Sequence, residues 1–153
     1  MKPDDADALN SRGIALQELN RFEEALQSYD RAGAIVADNA AIFSNRGVAL
    51  YGLKRFAEAV ASFERALALN SDSADTFFQR GNALHALRLF EEAVASYDRA
   101  ITLKGDYADA FNNRGVACLR SVNFPGPHGD TTRLVRNTSL CGNPPKHDAG
   151  HAG

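Results

Sequence analysis

The chain is poor in the spacings that chemistry requires. It has no Gly-x-Ser-x-Gly elbow for a nucleophilic serine, no Gly-x-x-x-x-Gly-Lys loop for phosphate and no His-Glu-x-x-His pair for zinc. Paired carboxylates occur at Glu23-Glu24 and Glu91-Glu92, and two such groups can divide acid and base roles. Both pairs open an apolar-periodic run, where negative charge complements a helix dipole, so a structural role is expected of them. Metal-capable side chains gather near the C-terminus: His128, Asp130, Cys141, His147, Asp148 and His151. The spacing Cys141-x5-His147-x3-His151 lacks the second close cysteine of a structural zinc site, so neither metal nor cofactor is expected. Cys118 and Cys141 are expected as free thiols, Cys118 buried and inert.

Arginines form the most regular set. Arg12, Arg46, Arg80 and Arg114 recur at intervals of 34 residues. The expected role is pairing with Asp30, Glu64 and Asp98 on neighbouring elements, with the stems over apolar surface. A ladder binding anions is the sharper alternative.

The same interval runs through the rest of the chain. Gly13, Gly47, Gly81 and Gly115 share it, and residues 6–39 match residues 74–107 at 17 of 34 positions. Leu9, Phe43, Phe77 and Phe111 form one apolar column; Leu16, Leu50, Leu84 and Cys118 form another. Tyr29, Phe63 and Tyr97 are always aromatic, flanked by the small columns Ala25/Ala59/Ala93 and Ala32/Ala66/Ala100. Within each period the apolar residues have helical spacing. The pattern predicts helices at 6–19 and 21–33, 40–53 and 55–68, 74–87 and 89–102, and a last one at 108–120. Small residues let two helix backbones approach while the aromatic columns fill the space beside them.

Composition sets the outer bounds. The chain has 153 residues, 44% hydrophobic and 24% charged, ordinary for one globular domain. A net charge of −2 argues against a general nucleic-acid binder. No apolar run is long enough to cross a membrane. The first residues, Met1 to Asp5, lack the apolar stretch of a secretory signal, so a cytoplasmic, reducing location is expected.

In its columns the sequence resembles the tetratricopeptide repeat family, read here as Phe43, Gly47, Leu50, Ala59, Phe63 and Ala66. The family's proline after the second helix is replaced by Ala37, Ser71 and Gly105. The resemblance covers residues 6–120. It implies an all-α, right-handed superhelical solenoid of helix–turn–helix repeats. The units are 6–39, 40–73, 74–107 and a first helix at 108–120, three and a half repeats in all, followed by an irregular Gly/Pro-rich tail at 121–153.

The resemblance also implies a function. In the family the first helix of each unit lines a concave groove, which such proteins use for binding. Helical spacing then selects Asn10, Ser11, Ser44, Asn45, Tyr51, Asp75, Phe78, Gln79, Asn82, His85, Asp109, Asn112 and Asn113 as groove residues. Ser11, Asn45, Gln79 and Asn113 form an uncharged polar column. Carboxamides offer donor and acceptor together and can hold an extended peptide backbone. The column is similar to the asparagine ladder of O-linked N-acetylglucosamine transferases. Tyr51, Phe78 and His85 are candidate anchors for apolar side chains. Co-chaperone members of the family clamp a C-terminal carboxylate. The corresponding positions here are Asn10, Ile14, Asn45, Asp75 and Gln79, and only Asn45 fits that clamp. Asp7, Asp75 and Asp109 favour a neutral or basic peptide.

The pattern breaks after Phe124. Pro125-Gly126-Pro127 falls where a fourth second helix would start, and residues 121–153 hold four of the five prolines and five of the twelve glycines. The tail reads as a native extension, as out-of-frame sequence, or as a segment folding back onto the array. Without a following helix, Phe111, Val116 and Leu119 would be exposed, which predicts self-association or coverage by the tail. The expected function is a non-catalytic scaffold binding a protein or peptide. The rivals are the substrate-recognition fragment of a larger, glycosyltransferase-like enzyme and a self-assembling homo-oligomeric scaffold.

Overall fold

The computed structural model describes residues 5–123 and Cys141. The described residues form seven α-helices: α1 (Ala6–Glu18), α2 (Phe22–Ile35), α3 (Ala40–Gly52), α4 (Phe56–Leu69), α5 (Ala74–Ala86), α6 (Phe90–Leu103) and α7 (Ala108–Asn123). Each predicted helix is present, with ends shifted by at most three residues. The largest shift is at α7, which passes the expected end at Arg120.

Local chemistry sets the ends. α1, α3 and α5 begin at Asp5, Asn39 and Ser73, whose side chains accept from the backbone N–H of Asp7, Ala41 and Thr76. All three end on a left-handed residue: Asn20 (φ 58°), Lys54 (φ 60°) and Arg88 (φ 61°). In the first of these turns the N–H of Arg21 donates to Leu16 O and that of Asn20 to Gln17 O, both at 2.9 Å. This double bond pattern closes a helix end, and it repeats at Lys54-Arg55 and Arg88-Leu89. The second helices start without a side-chain cap. Arg21 pairs with Glu24 (2.6 Å) and Arg55 with Glu58 (2.7 Å) across their first turns, and Glu23, Glu24, Glu91 and Glu92 sit at the positive helix ends.

The helices stack as consecutive antiparallel pairs, and α1, α3, α5 and α7 are neighbours in space. The fold is an all-α helical repeat solenoid. Inside each of the three full pairs an aromatic ring packs closely against a glycine. A Cβ added to Gly13 would stand 2.4 Å from the ring of Tyr29; at Gly47 it would meet Phe63 at 2.5 Å, and at Gly81 Tyr97 at 2.6 Å. The three rings are fully buried, with Ala25, Ala32, Ala59, Ala93 and Ala100 around them. Between pairs the arginine ladder links each unit to the one before. Arg46 reaches Asp30 (2.6 Å), Arg80 reaches Glu64 (2.8 Å) and Arg114 reaches Asp98. Arg65 and Arg99 lie over the rings of Phe43 and Phe77.

The expectation of free thiols is corrected. Cys118 and Cys141 form a disulfide, with Cα atoms 5.7 Å apart. Cys118 occupies a column that is leucine in the three full units. In the last unit no helix among the described residues covers that column, and Cys141 lies against it. Phe111, Val116 and Leu119 are exposed at 36%, 39% and 69%. Pro125, Gly126, Pro127, Phe124, His128, Asp130, His147, Asp148 and His151 lie outside the described residues.

Candidate peptide-binding groove

The first helices carry half-buried polar side chains that are bonded across units. Asn45 Nδ2 donates to Asn10 Oδ1 at 3.1 Å. Asn113 Nδ2 donates to Asn82 Oδ1 at 2.9 Å, and Tyr97 Oη donates to the same oxygen at 2.8 Å. Ser44 Oγ lies 3.1 Å from Thr76 Oγ1, which in turn is 2.8 Å from the capping Ser73 Oγ. Two members of the expected column of Ser11, Asn45, Gln79 and Asn113 therefore bond residues of two different neighbouring columns: Asn45 finds Asn10 and Asn113 finds Asn82.

Two concavities open on these side chains. One, about 230 Å³, is lined by Tyr51, Asn82, His85, Tyr97, Asn113 and Val116. The other, about 340 Å³, includes Ala41, Ser44, Asn45, Asp75 and Thr76. The first joins α3, α5, α6 and α7, so three different units shape it. His85 stands in its wall with the ring edge-on to Phe90 (5.3 Å) and a buried Nε2 that has no hydrogen-bond partner. Burial, followed by the charge of Arg120, lowers the His85 pKa below its usual 6.5 and favours the neutral imidazole. Burial also raises the Tyr97 phenol far above its usual range, so that hydroxyl stays a donor to Asn82.

The remaining predicted residues divide into two groups. Ser11, Asp75, Asp109 and Asn112 are exposed; Asn10, Gln79 and Phe78 are half-buried. The Phe78 ring is engaged inside the molecule, 4.8 Å from Tyr107 and 6.0 Å from Tyr97. Burial, and then the hydrogen bond and charge of Asp75, push the Tyr107 phenol well above its usual range. Sequence reasoning missed Tyr97 as a groove residue. A signal for Tyr97 existed: its column reads Tyr29, Phe63, Tyr97. The tyrosines face Gln17 and Asn82, to which their hydroxyls donate, whereas the phenylalanine shares its unit with Val48.

Among the described residues no three His, Cys, Asp or Glu side chains are placed to hold a metal ion. No described helix is long and apolar enough to cross a membrane.

A family profile described as TPR repeat matches residues 15–54 and 90–121, and another, described as Tetratricopeptide repeat, matches residues 40–73. The chain belongs to the tetratricopeptide repeat family. None of the curated proteins compared with this repeat protein matches it. Solved structures do. The first TPR of Spaghetti (RPAP3), bound to HSP90 peptide SRMEEVD, has a TM-score of 0.73 at 28% identity, covering 74% of this chain and 90% of that one. The first TPR domain of human RPAP3 has a TM-score of 0.75 at 27% identity, covering 79% and 95%. MamA reaches a TM-score of 0.76 at 18% identity, over 92% and 78%, a likeness of fold alone.

Proposed function

We propose that this tetratricopeptide repeat protein is a non-enzymatic, cytoplasmic interaction scaffold that holds an extended partner segment in its concave groove. The observation that carries the reading is the bonded polar set, Asn10–Asn45 and Asn82–Asn113 with Tyr97, which opens on two concavities. A carboxamide that spends one lone pair on its neighbour still has groups to offer a peptide backbone. The peptide held by the Spaghetti domain supports the class of ligand, a peptide. Its acidic sequence does not suit this groove. Asp75 and Asp109 are exposed on the same helices, and a carboxylate close to them is repelled. The partner is therefore neutral or basic.

The test is a peptide array of neutral, basic and acidic extended sequences. It is probed with the wild type and with Asn45→Ala/Asn113→Ala, whose helicity is checked by circular dichroism. The wild type should retain neutral or basic peptides. The variant should lose about tenfold or more in affinity, since each lost hydrogen bond is worth about 1 kcal/mol. Equal binding by both proteins, or a preference for acidic peptides, would sink the reading.

A further inference from the structure

The two concavities of the groove differ in charge. Asp75 lines the larger one. The smaller, about 230 Å³, has no aspartate, glutamate, lysine or arginine among the described residues of its wall. Two carboxamides in that wall are only half used. Asn82 Oδ1 accepts twice, from Asn113 Nδ2 at 2.9 Å and from Tyr97 Oη at 2.8 Å. A carbonyl oxygen has two lone pairs, so this acceptor is full. Among the described residues nothing bonds Asn82 Nδ2 or Asn113 Oδ1. A donor and an acceptor therefore stand unspent at the two ends of one hydrogen bond. The same wall holds the buried Nε2 of His85, which has no partner either, and an unpaired buried polar atom in a folded protein calls for an explanation.

We infer that this concavity is a specificity subsite for a glutamine or asparagine side chain of the segment held in the groove. The inference rests on the peptide-groove reading and adds the residue type that the subsite selects. A side-chain carboxamide carries its C=O and one N–H on the same side. The C=O accepts from Asn82 Nδ2 while the N–H donates to Asn113 Oδ1, so one planar group answers both. A trans backbone amide points its C=O and N–H in opposite directions and cannot face the pair in this way. Tyr51 of α3 and Val116 of α7 give the stem of the side chain apolar surface. Other side chains fail on a count each. Leucine covers the two groups without bonding them, and an unmade hydrogen bond costs more than a made one gains. Glutamate brings acceptors only, against Asn113 Oδ1, and lysine donors only, against Asn82 Nδ2. Either charge would also lose hydration without a counter-charge in the wall. Arg120, whose charge acts on His85, is exposed and does not line the concavity, so solvent and salt screen it.

The experiment uses the full chain and extended alanine–lysine host peptides that differ in one central residue: glutamine, asparagine, leucine, glutamate or lysine. Fluorescence anisotropy reads the Kd of each. The glutamine or the asparagine peptide should bind the wild type about tenfold or more tightly than the leucine and glutamate peptides, the worth of two net hydrogen bonds. Asn82→Leu, with helicity checked by circular dichroism, should lose that preference; a purely structural role would weaken all five peptides alike. In NMR spectra of the wild type the side-chain NH2 signals of Asn82 and Asn113 should shift with the carboxamide peptide and not with the leucine one. This second readout decides the matter if Asn82→Leu fails to fold. Equal binding of the glutamine, asparagine and leucine peptides, a preference for the charged residues, or amide signals that stay in place would overturn the subsite and leave the groove reading standing. Binding of none of the five would overturn both.

Discussion

Glycine carries different weight at four equivalent positions. At Gly47 the ring of Phe63 leaves 2.5 Å for a Cβ, and at Gly115 no neighbour stands within 4 Å. Phe63 is fully buried with Ala59 and Ala66 beside it, so its ring cannot retreat without disturbing the packing of α4 on α3. Gly47→Ala should therefore destabilise the protein by about 1–3 kcal/mol, the usual cost of overpacking a close-packed site. Gly115→Ala should stabilise it by about 1 kcal/mol, because an open helix position keeps only the propensity difference between the two residues. Urea midpoints at constant m-value separate the two effects. Destabilisation of equal size at both sites would mean that the glycines serve the helices themselves and not the rings. The arginine ladder is weaker than its regularity suggests. Arg46–Asp30 and Arg80–Glu64 have side chains between 21% and 54% exposed, and pairs of that kind contribute little. Their use is in aligning one unit with the next.

The elements were legible because each period states its helices several times over. Small and aromatic columns and apolar spacing agree, and agreement across levels is what makes a sequence specify one fold. The ladder partners Asp30, Glu64 and Asp98 were legible for the same reason. The groove was legible only in outline. That Asn45 bonds Asn10 rather than Ser11, and Asn113 bonds Asn82 rather than Gln79, depends on how far each first helix is turned against the next. A 34-residue interval does not encode that rotation. The disulfide was hidden because a lone cysteine in a leucine column looks like a small hydrophobe, and its partner lies where the period has ended. The turns inside the units leave room for improvement. Lys54 holds φ 60° at the end of α3, a conformation that costs a residue with a Cβ about 1–2 kcal/mol. Lys54→Gly removes that cost and adds chain entropy to the unfolded state, so a net gain of about 0.5–1 kcal/mol is expected. Thermal unfolding by circular dichroism reads it as a higher midpoint; a lower one would mean that the lysine side chain supports the turn.

At the scale of the whole molecule, stability should be uneven along the solenoid. A unit in such an array touches only its neighbours, so the array behaves as a chain of units joined by nearest-neighbour interfaces. α3 and α4 are covered on both sides, by α2 and by α5. α7 packs on α6 and touches α5, and its outer side carries Leu119 at 69% exposure. The largest fully buried side chains follow the same gradient: Tyr29, Ile42, Leu50, Phe63, Leu84, Tyr97 and Ile101 all lie in α2 to α6. Opening α7 alone exposes little of this core, whereas opening α3 or α4 breaks two interfaces and uncovers Phe63 and Leu50. Native-state hydrogen exchange of the reduced chain should accordingly show the slowest amides in α3 and α4. Those of α7 should be the fastest among helix interiors, with opening free energies lower by about 1–3 kcal/mol. Gly115→Ala should slow exchange in α7 and leave α3 nearly unchanged, because distant units feel a local gain only through the interfaces between them. One opening free energy shared by all seven helices would instead show a single cooperative unit, with α7 as firmly seated as the centre.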